Sequence, residues 1–175
     1  MNYRPYALDD FDQLYSLEEL CFKPPFRFSR RMMRALVQHP DSATWIAEQS
    51  SRIAGFAIVE WNAHKGETTA YIQTIEVAPD ARRQGVAGEL LHRMERSAGG
   101  AGACSISLHV GAENAGAIRL YESQGYKCSG RKENFYPLGQ AALVYTKKLE
   151  IASAGGLSIA TCVDVKSERK ISAGS

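Results

Sequence analysis

The chain has little of what marks most specialised proteins. No uninterrupted apolar stretch approaches the length of a membrane span. The opening residues, MNYRPYALDD, hold no apolar core of the signal-peptide kind, so neither a membrane partner nor export by that route is expected. Charge of one sign is scarcely in excess: 21 Lys and Arg stand against 19 Asp and Glu, a formal net charge of +2. A dedicated nucleic-acid binder carries a strong basic excess, and no nucleic-acid partner is expected here. Cysteine is sparse. Cys21, Cys104, Cys128 and Cys162 lie far apart, where a disulfide framework or a zinc site would want tighter pairs, and the four histidines supply no partner spacing. Free thiols, no bound metal and a cytoplasmic location follow as expectations.

What is present is ordinary globular material: 175 residues, 45% apolar and 23% charged. That length is one domain, and a chain of this size buries roughly 70% of the surface its unfolded form exposes, enough for a core without staples. Residues 1–150 alternate between helical and extended signals, whereas 151–175 are rich in Ser, Gly and Ala. The domain is therefore expected over 1–150 and a mobile tail over 151–175, in which only 157–165 can extend as an added edge strand.

Within the body, MNYRPYA is a short first strand. A helix follows, capped at Asp9 or Asp10, with Phe11, Leu14, Tyr15, Leu17 and Leu20 at the spacing of a buried face. Pro24 and Pro25 stop it, and Ser29 caps a second helix. Three extended segments at 43–49, 52–62 and 67–78, joined by short polar turns, form an antiparallel meander. From Ala81 onward the grammar changes to helix, strand (104–110), helix (114–125) and two final strands. Strand, helix, strand across 71–110 is a parallel crossover, which opens a crevice at the strand's carboxyl end. The fold class is mixed α/β.

The stretch Ile75-Glu76-Val77-Ala78-Pro79-Asp80-Ala81-Arg82-Arg83-Gln84-Gly85-Val86-Ala87-Gly88 carries the chemistry. A strand ends, a basic loop follows and a helix begins. A helix N-terminus offers unpaired N–H groups and the positive end of the macrodipole. Gly85, Ala87 and Gly88 lack bulk, so a phosphate can approach the main chain, and Arg82 and Arg83 add charge. This is a recipe for a pyrophosphate, without the Gly-Lys-Ser/Thr of a nucleotide-binding P-loop or the glycine spacing of a dinucleotide site.

Arg82-x-x-Gly85-x-Ala87 resembles the Arg/Gln-x-x-Gly-x-Gly/Ala signature of the GNAT superfamily of acetyl-CoA-dependent N-acetyltransferases. The later run Asn114-Ala-Gly-Ala-Ile-Arg-Leu-Tyr121-Glu-Ser-Gln-Gly125-Tyr126 resembles the family's second segment, Asn-x-x-Ala-x-x-Leu-Tyr-x-x-x-Gly-Phe. Two motifs at the expected separation are far more specific than either alone, and the resemblance covers about residues 1–150. It is nearest in flavour to ribosomal-protein-alanine and other N-terminal acetyltransferases. The resemblance implies a mixed central sheet with an antiparallel N-terminal meander and a splayed parallel pair in the middle, flanked by about four helices. It implies acetyl-CoA as cofactor: the main chain of Ile75 and Val77 pairing with the pantetheine arm, Arg82, Arg83, Gln84, Gly85, Val86, Ala87 and Gly88 holding the pyrophosphate, Asn114 on the pantetheine, and Tyr121 near the thioester sulfur.

Acetyl transfer needs a neutral amine at attack and a protonated leaving thiolate. Tyr121 is the acid candidate, since a phenol with an ordinary pKa of about 10 can donate to a thiolate. For the base, bacterial ribosomal-protein-alanine enzymes commonly have Glu where this chain has His109, within Ser107-Leu108-His109-Val110. Some eukaryotic N-terminal acetyltransferases instead pair a His there with a Tyr that matches Tyr71, so the resemblance implies Tyr71 and His109 as a base couple working through an ordered water. Strand alternation puts Tyr71, Gln73 and Ile75 on one face, with Ser107 and His109 together on theirs, so both residues can line one crevice. Glu60 and Glu76 are substitutes for the base, Glu76 alternating away from Tyr71.

The acceptor is less legible. Phe22-Lys23-Pro24-Pro25-Phe26-Arg27-Phe28 joins the first two helices, a loop that in the family flanks the acceptor slot. Phe26 and Phe28 can form its apolar rim, or can cap the core instead. Phe135 and Tyr136 match aromatic positions that face peptides in N-terminal acetyltransferases, and Gln73 is implied to offer its carbonyl to the amine. The expected acceptor is a protein N-terminus, a ribosomal protein among the candidates, taken in a direct ternary complex by a monomer or homodimer. A lysine or small-molecule amine, or a non-catalytic acyl-CoA-binding module, stays open as an alternative.

Overall fold

The structure, a computed structural model, describes residues 1–150. The tail at 151–175, with the possible edge strand at 157–165 and Cys162, lies outside the described residues. Seven strands, β1 (Asn2–Pro5), β2 (Ser42–Gln49), β3 (Arg52–His64), β4 (Glu67–Val77), β5 (Ala103–Gly111), β6 (Lys127–Lys132) and β7 (Ala142–Lys148), form one sheet in the order β1-β2-β3-β4-β5-β7-β6. Only β4 and β5 run parallel; every other neighbouring pair is antiparallel. Four helices, α1 (Phe11–Cys21), α2 (Arg30–Val37), α3 (Val86–Gly100) and α4 (Ala115–Ser123), complete the described chain. The expected mixed sheet with its antiparallel meander and central parallel pair is the architecture observed.

Local chemistry explains the helix boundaries. Ser29 caps α2, its hydroxyl accepting from the Met32 N–H at 3.2 Å. Asp10 does not cap α1 with its side chain. Its carboxylate accepts from both terminal nitrogens of Arg4, at 2.7 and 2.8 Å, and from the Ala7 N–H at 2.7 Å. The Arg4 guanidinium holds that carboxyl below the usual range and ties β1 to the start of α1. α3 begins at Val86, later than the helical pattern from Ala81 predicts, because Pro79–Ala81 form a 3₁₀ turn and Arg83 and Gly85 take left-handed φ values of 61° and 80°.

The core lies on both faces of β3. Ile53 through Val59 are buried without interruption, the pattern of a strand covered on two sides. α1 covers one face, and α3, through Val86, Leu90, Leu91, Met94 and Ala98, covers the other. Against the expectation of free thiols, Cys104 is disulfide-bonded; Cys21 and Cys128 are free. Separation in sequence does not fix separation in space. No described helix is long and apolar enough to cross a membrane.

Two irregularities in β4 shape the middle of the sheet. Opposite β3, Thr74 faces Ile58 and Ile72 faces Val59, which leaves Gln73 as the extra residue of a bulge. Directly opposed residues share a face, so Tyr71 (opposite Glu60), Thr74 (opposite Ile58) and Glu76 (opposite Phe56) all point toward α1. Ile75 and Val77, opposite Ala57 and Gly55, point toward α3. This corrects simple alternation: Ile75 leaves the face of Tyr71, and Glu76 joins it. The Gln73 amide stays on the Tyr71 side, where it donates to Glu60 at 2.5 Å. The second irregularity is a splay. β4 and β5 pair from Thr68/Ala103 to Tyr71/Ser107 and no further among the described residues, although β4 runs on to Val77 and β5 to Gly111.

Gly55 lets α3 approach the sheet beside this splay. A Cβ there would lie 2.8 Å from the Glu76 carbonyl oxygen and 3.3 Å from side-chain atoms of Leu90 and Val86. Gly55→Ala is expected to destabilise the fold by about 1–3 kcal/mol through overpacking, lowering Tm by several degrees in a thermal melt; an unchanged Tm would show that α3 can retreat freely.

Candidate active site

The splay leaves a slot between the carboxyl half of β4 and β5, and the loop that follows β4 closes one end of it. With Arg83 and Gly85 both left-handed, the main chain winds tightly before α3, the kind of backbone in which successive N–H groups converge on an anion. No side chain caps α3 at Gly85, and a Cβ built at Gly85 or Gly88 meets nothing within 4 Å. An uncapped fifteen-residue helix with open space over its first turn fits a diphosphate. Val86 is buried and anchors that turn to the core, Ala87 is half-buried, and Arg83 is exposed. The Gln84 amide donates to the Asp80 carbonyl at 2.9 Å. Arg82 turns inward: its Nε donates to the Val77 carbonyl at 3.0 Å, and its guanidinium lies 3.8 Å from the Cys21 sulfur. It braces the loop against the end of β4.

Across the slot, the parallel register puts Tyr71 beside Ser107, and two residues on, His109 stands on the same face. The Tyr71 hydroxyl and His109 Nδ1 are 2.9 Å apart, in direct contact. The imidazole stacks on the Phe135 ring, with centroids 4.2 Å apart and planes 4° from parallel. The Tyr136 hydroxyl donates to the His109 carbonyl at 3.1 Å. The ring is thus fixed at Nδ1, across one face and through its own backbone. His109 Nε2 is buried and has no hydrogen-bond partner.

These surroundings favour neutral groups. Burial, with the Lys132 charge nearby, lowers the His109 pKa to about 4. Burial raises Tyr71 and Tyr121 well above the ordinary phenol range and Tyr136 to about 12. Tyr121 sits on α4 with its ring between Tyr126 and Tyr145, at centroid distances of 5.8 and 6.4 Å. Asn114 is exposed at the start of α4 and caps it, its side-chain oxygen accepting from the Ala117 N–H at 3.1 Å.

In the loop between α1 and α2, Phe26 and Phe28 are both half-buried, and Phe28 packs against the core as well. Its N–H donates to Glu18 at 2.7 Å and its carbonyl accepts from the Tyr15 hydroxyl at 3.1 Å. Gln73 and Glu60 lie on the Tyr71 face. The geometry brings Tyr71, His109, Gln73 and Tyr136 to one region. Sequence reading did not find the Phe135 stack on His109, the Lys132 charge or the Glu60–Gln73 bond. The bulge hides the last of these from any alternation rule.

Known proteins share this architecture. Residues 11–126 match the family model described as the acetyltransferase (GNAT) family. The histone acetyltransferase MCC1 of Arabidopsis thaliana is 28% identical over 159 residues, covering 78% of this chain and 64% of that protein, so the chain spans less than two thirds of the relative's length. The ribosomal-protein-S18-alanine N-acetyltransferase of Escherichia coli superposes with a TM-score of 0.75 at 25% identity, over 90% of this chain and 99% of that one. NAA60 of Arabidopsis thaliana, solved with acetyl-CoA, shares the fold at a TM-score of 0.75 and 21% identity, over 84% and 97% of the two chains.

Two outcomes are expected. Gly85→Val, which forces a β-branched residue to a φ near +80°, should weaken coenzyme A binding at least tenfold by calorimetry; retained affinity would show that the loop does not hold the diphosphate. The His109 ring should titrate near pH 4 by NMR, below its unfolded value of about 6.5. The unfolded chain therefore takes up the proton first, so the stability contributed by neutral His109 is complete above about pH 6.5 and is lost as pH falls toward 4.

Proposed function

Because the chain belongs to the GNAT acetyltransferase family, whose members use acetyl-CoA, we propose that it acetylates the α-amino group of protein N-termini in a direct ternary complex. Acetyl-CoA, when bound, supplies an activated acetyl group and a thiolate leaving group. The observation that carries the reading is the direct Tyr71–His109 contact on the acceptor face of the splay, 2.9 Å with no room for a water between. The implied ordered water is not needed inside the couple. Tyr71 takes the amine proton at its oxygen while passing its own to His109 Nδ1, directly or through one water on the substrate side. The phenol of Tyr121, kept protonated by burial, would be the proton source for the thiolate once the cofactor is bound. Ile75, Val77 and the main chain from Arg82 to Gly88 would hold the cofactor, and Asn114 would hydrogen-bond its pantetheine arm. Phe26, Phe28, Gln73 and Tyr136 line the acceptor slot.

An α-amine, with a pKa of about 8, suits a couple of such weak basicity better than a lysine at about 10.4. The likeness to a histone acetyltransferase keeps lysine as the competing acceptor. Mass spectrometry of a peptide panel, each with a free α-amine and an internal lysine, separates the two, and α-acetylation is expected. Above pH 5 the acid limb of kcat/KM should follow the acceptor's own pKa, since His109 is already neutral there. His109→Ala should lower kcat by about 10²-fold with coenzyme A affinity within twofold. A limb fixed near 6.5 for every acceptor, or full activity of the alanine variant, would overturn the role given to His109.

A further inference from the structure

Beneath the slot lies a pair of acidic side chains that the chemistry above does not use. Glu18, on α1, is fully buried, and Glu76, on β4, is 2% exposed. The bulge at Gln73 turns Glu76 to the α1 side of the sheet, the side on which Glu18 lies. One oxygen of each is satisfied. Glu18 Oε1 accepts from the Phe28 N–H at 2.7 Å, and Glu76 Oε1 accepts from the Thr74 hydroxyl at 3.0 Å. The second oxygen of each, Oε2, is buried without a hydrogen-bond partner.

Two buried carboxyls on the α1 side of the sheet, each with an orphaned oxygen, are costly to hold ionised together. One proton resolves both difficulties: the protonated carboxyl donates to the ionised one, and each Oε2 gains a partner. Burial, reinforced by Glu18, pushes the Glu76 carboxyl far above the usual range. Of the other groups facing Glu76, Cys21 reinforces this rise and the Thr74 hydroxyl opposes it. The Cys21 thiol is raised by its own burial and stays neutral, Phe56 opposite Glu76 is apolar, and Arg82 reaches Cys21 and the Val77 carbonyl.

The pair joins two functional parts. Phe28 is gripped at both backbone groups from α1, its N–H by Glu18 and its carbonyl by Tyr15. Glu76 stands between Ile75 and Val77 on the strand that borders the cofactor slot. We propose that Glu18 is a positioning residue for the acceptor: it clamps Phe28 and shares one proton with Glu76, locking the rim of the acceptor slot to β4. The clamp rests on the reading of Phe26 and Phe28 as that rim.

Hydrogen exchange at the Phe28 amide and the KM for an N-terminal peptide test it in the full chain. Glu18→Ala removes the acceptor of that N–H, and Phe28 exchange should quicken at least tenfold. Acceptor KM should rise about tenfold while the coenzyme A Kd stays within twofold. Glu76→Gln keeps a donor toward Glu18 and should behave as wild type in both readouts. Glu76→Ala leaves Glu18 without a donor and should shift both toward Glu18→Ala. Wild-type acceptor KM should also climb at alkaline pH as the shared proton is lost, and Glu76→Gln should not show that climb. Unchanged Phe28 exchange and KM in Glu18→Ala would overturn the clamp, and Glu76→Gln as impaired as Glu76→Ala would overturn the shared proton. Should Glu18→Ala fail to fold, Glu18→Gln, which still accepts from Phe28 and donates to Glu76, must rescue. Phe28 exchange is measured without any acceptor, so a chain that acetylates no N-terminal peptide sinks the acceptor reading and leaves the clamp standing or falling on exchange alone.

Discussion

The parting of β4 from β5 after Tyr71 and Ser107 is the constraint on which the rest depends. A parallel pair of strands ordinarily satisfies its inner edges along its whole length. Here β5 gives its other edge to β7 from Ser105 through Gly111 and turns away, while β4 follows β3 to Val77. Two strands tied to different neighbours leave backbone donors and acceptors facing each other across a gap, and buried backbone groups of that kind require a partner. An extended ligand with amide groups of its own is the partner that such a gap fits. The uncapped start of α3 at the end of β4 then supplies the place for that ligand's negative charge.

Much of this was legible without coordinates, for physical reasons. Long elements with strong periodicity, such as α3 with Val86, Leu90, Leu91 and Met94 or the buried run of β3, declare themselves because packing needs those spacings. The crossover at 71–110 follows from strand, helix, strand in succession. The family resemblance implied the pairing of Tyr71 with His109, and strand alternation could place both on one crevice because both lie on the regular side of the bulge. Residues beyond it were misplaced. Gln73 is one residue too many for the β3 ladder, and nothing in Tyr71-Ile72-Gln73-Thr74-Ile75-Glu76 announces that. Ile75 and Glu76 therefore exchanged faces relative to plain alternation. Arg82 was hidden for another reason. In sequence it is a cation in a phosphate-binding motif, and only the fold shows its Nε on the Val77 carbonyl.

A common electrostatic character runs through the site. Tyr71, Tyr121 and Tyr136 are all held in their neutral forms by burial, and His109 is held neutral from the other direction. The environment that makes His109 a weak base would also make a charged ammonium an unfavourable guest, and in the proposed reaction would assist the loss of the amine's proton by penalising the cation. Strong basicity in any single group is then unnecessary. Placement takes over: the stack on Phe135 and the bond from Tyr136 fix the ring so that Nδ1 meets the Tyr71 oxygen, and a fixed donor–acceptor line needs no reorganisation at the moment of transfer.

That division of labour bears on the choice of acceptor. At pH 7 roughly a tenth of an α-amine with a pKa near 8 is already neutral, against a few parts in ten thousand of a lysine near 10.4. A site with a strong, ionised base could recover that difference of more than a hundredfold by extracting the proton itself. If His109 is the base, as proposed, an imidazole lowered to about 4 would recover little of it and would work best on amines that shed their protons readily. Penalising the bound cation acts on both amines alike and does not close the gap. The weaker the base, the more the substrate's own acidity decides, and on that ground the proposed reading takes a chain terminus over a lysine side chain.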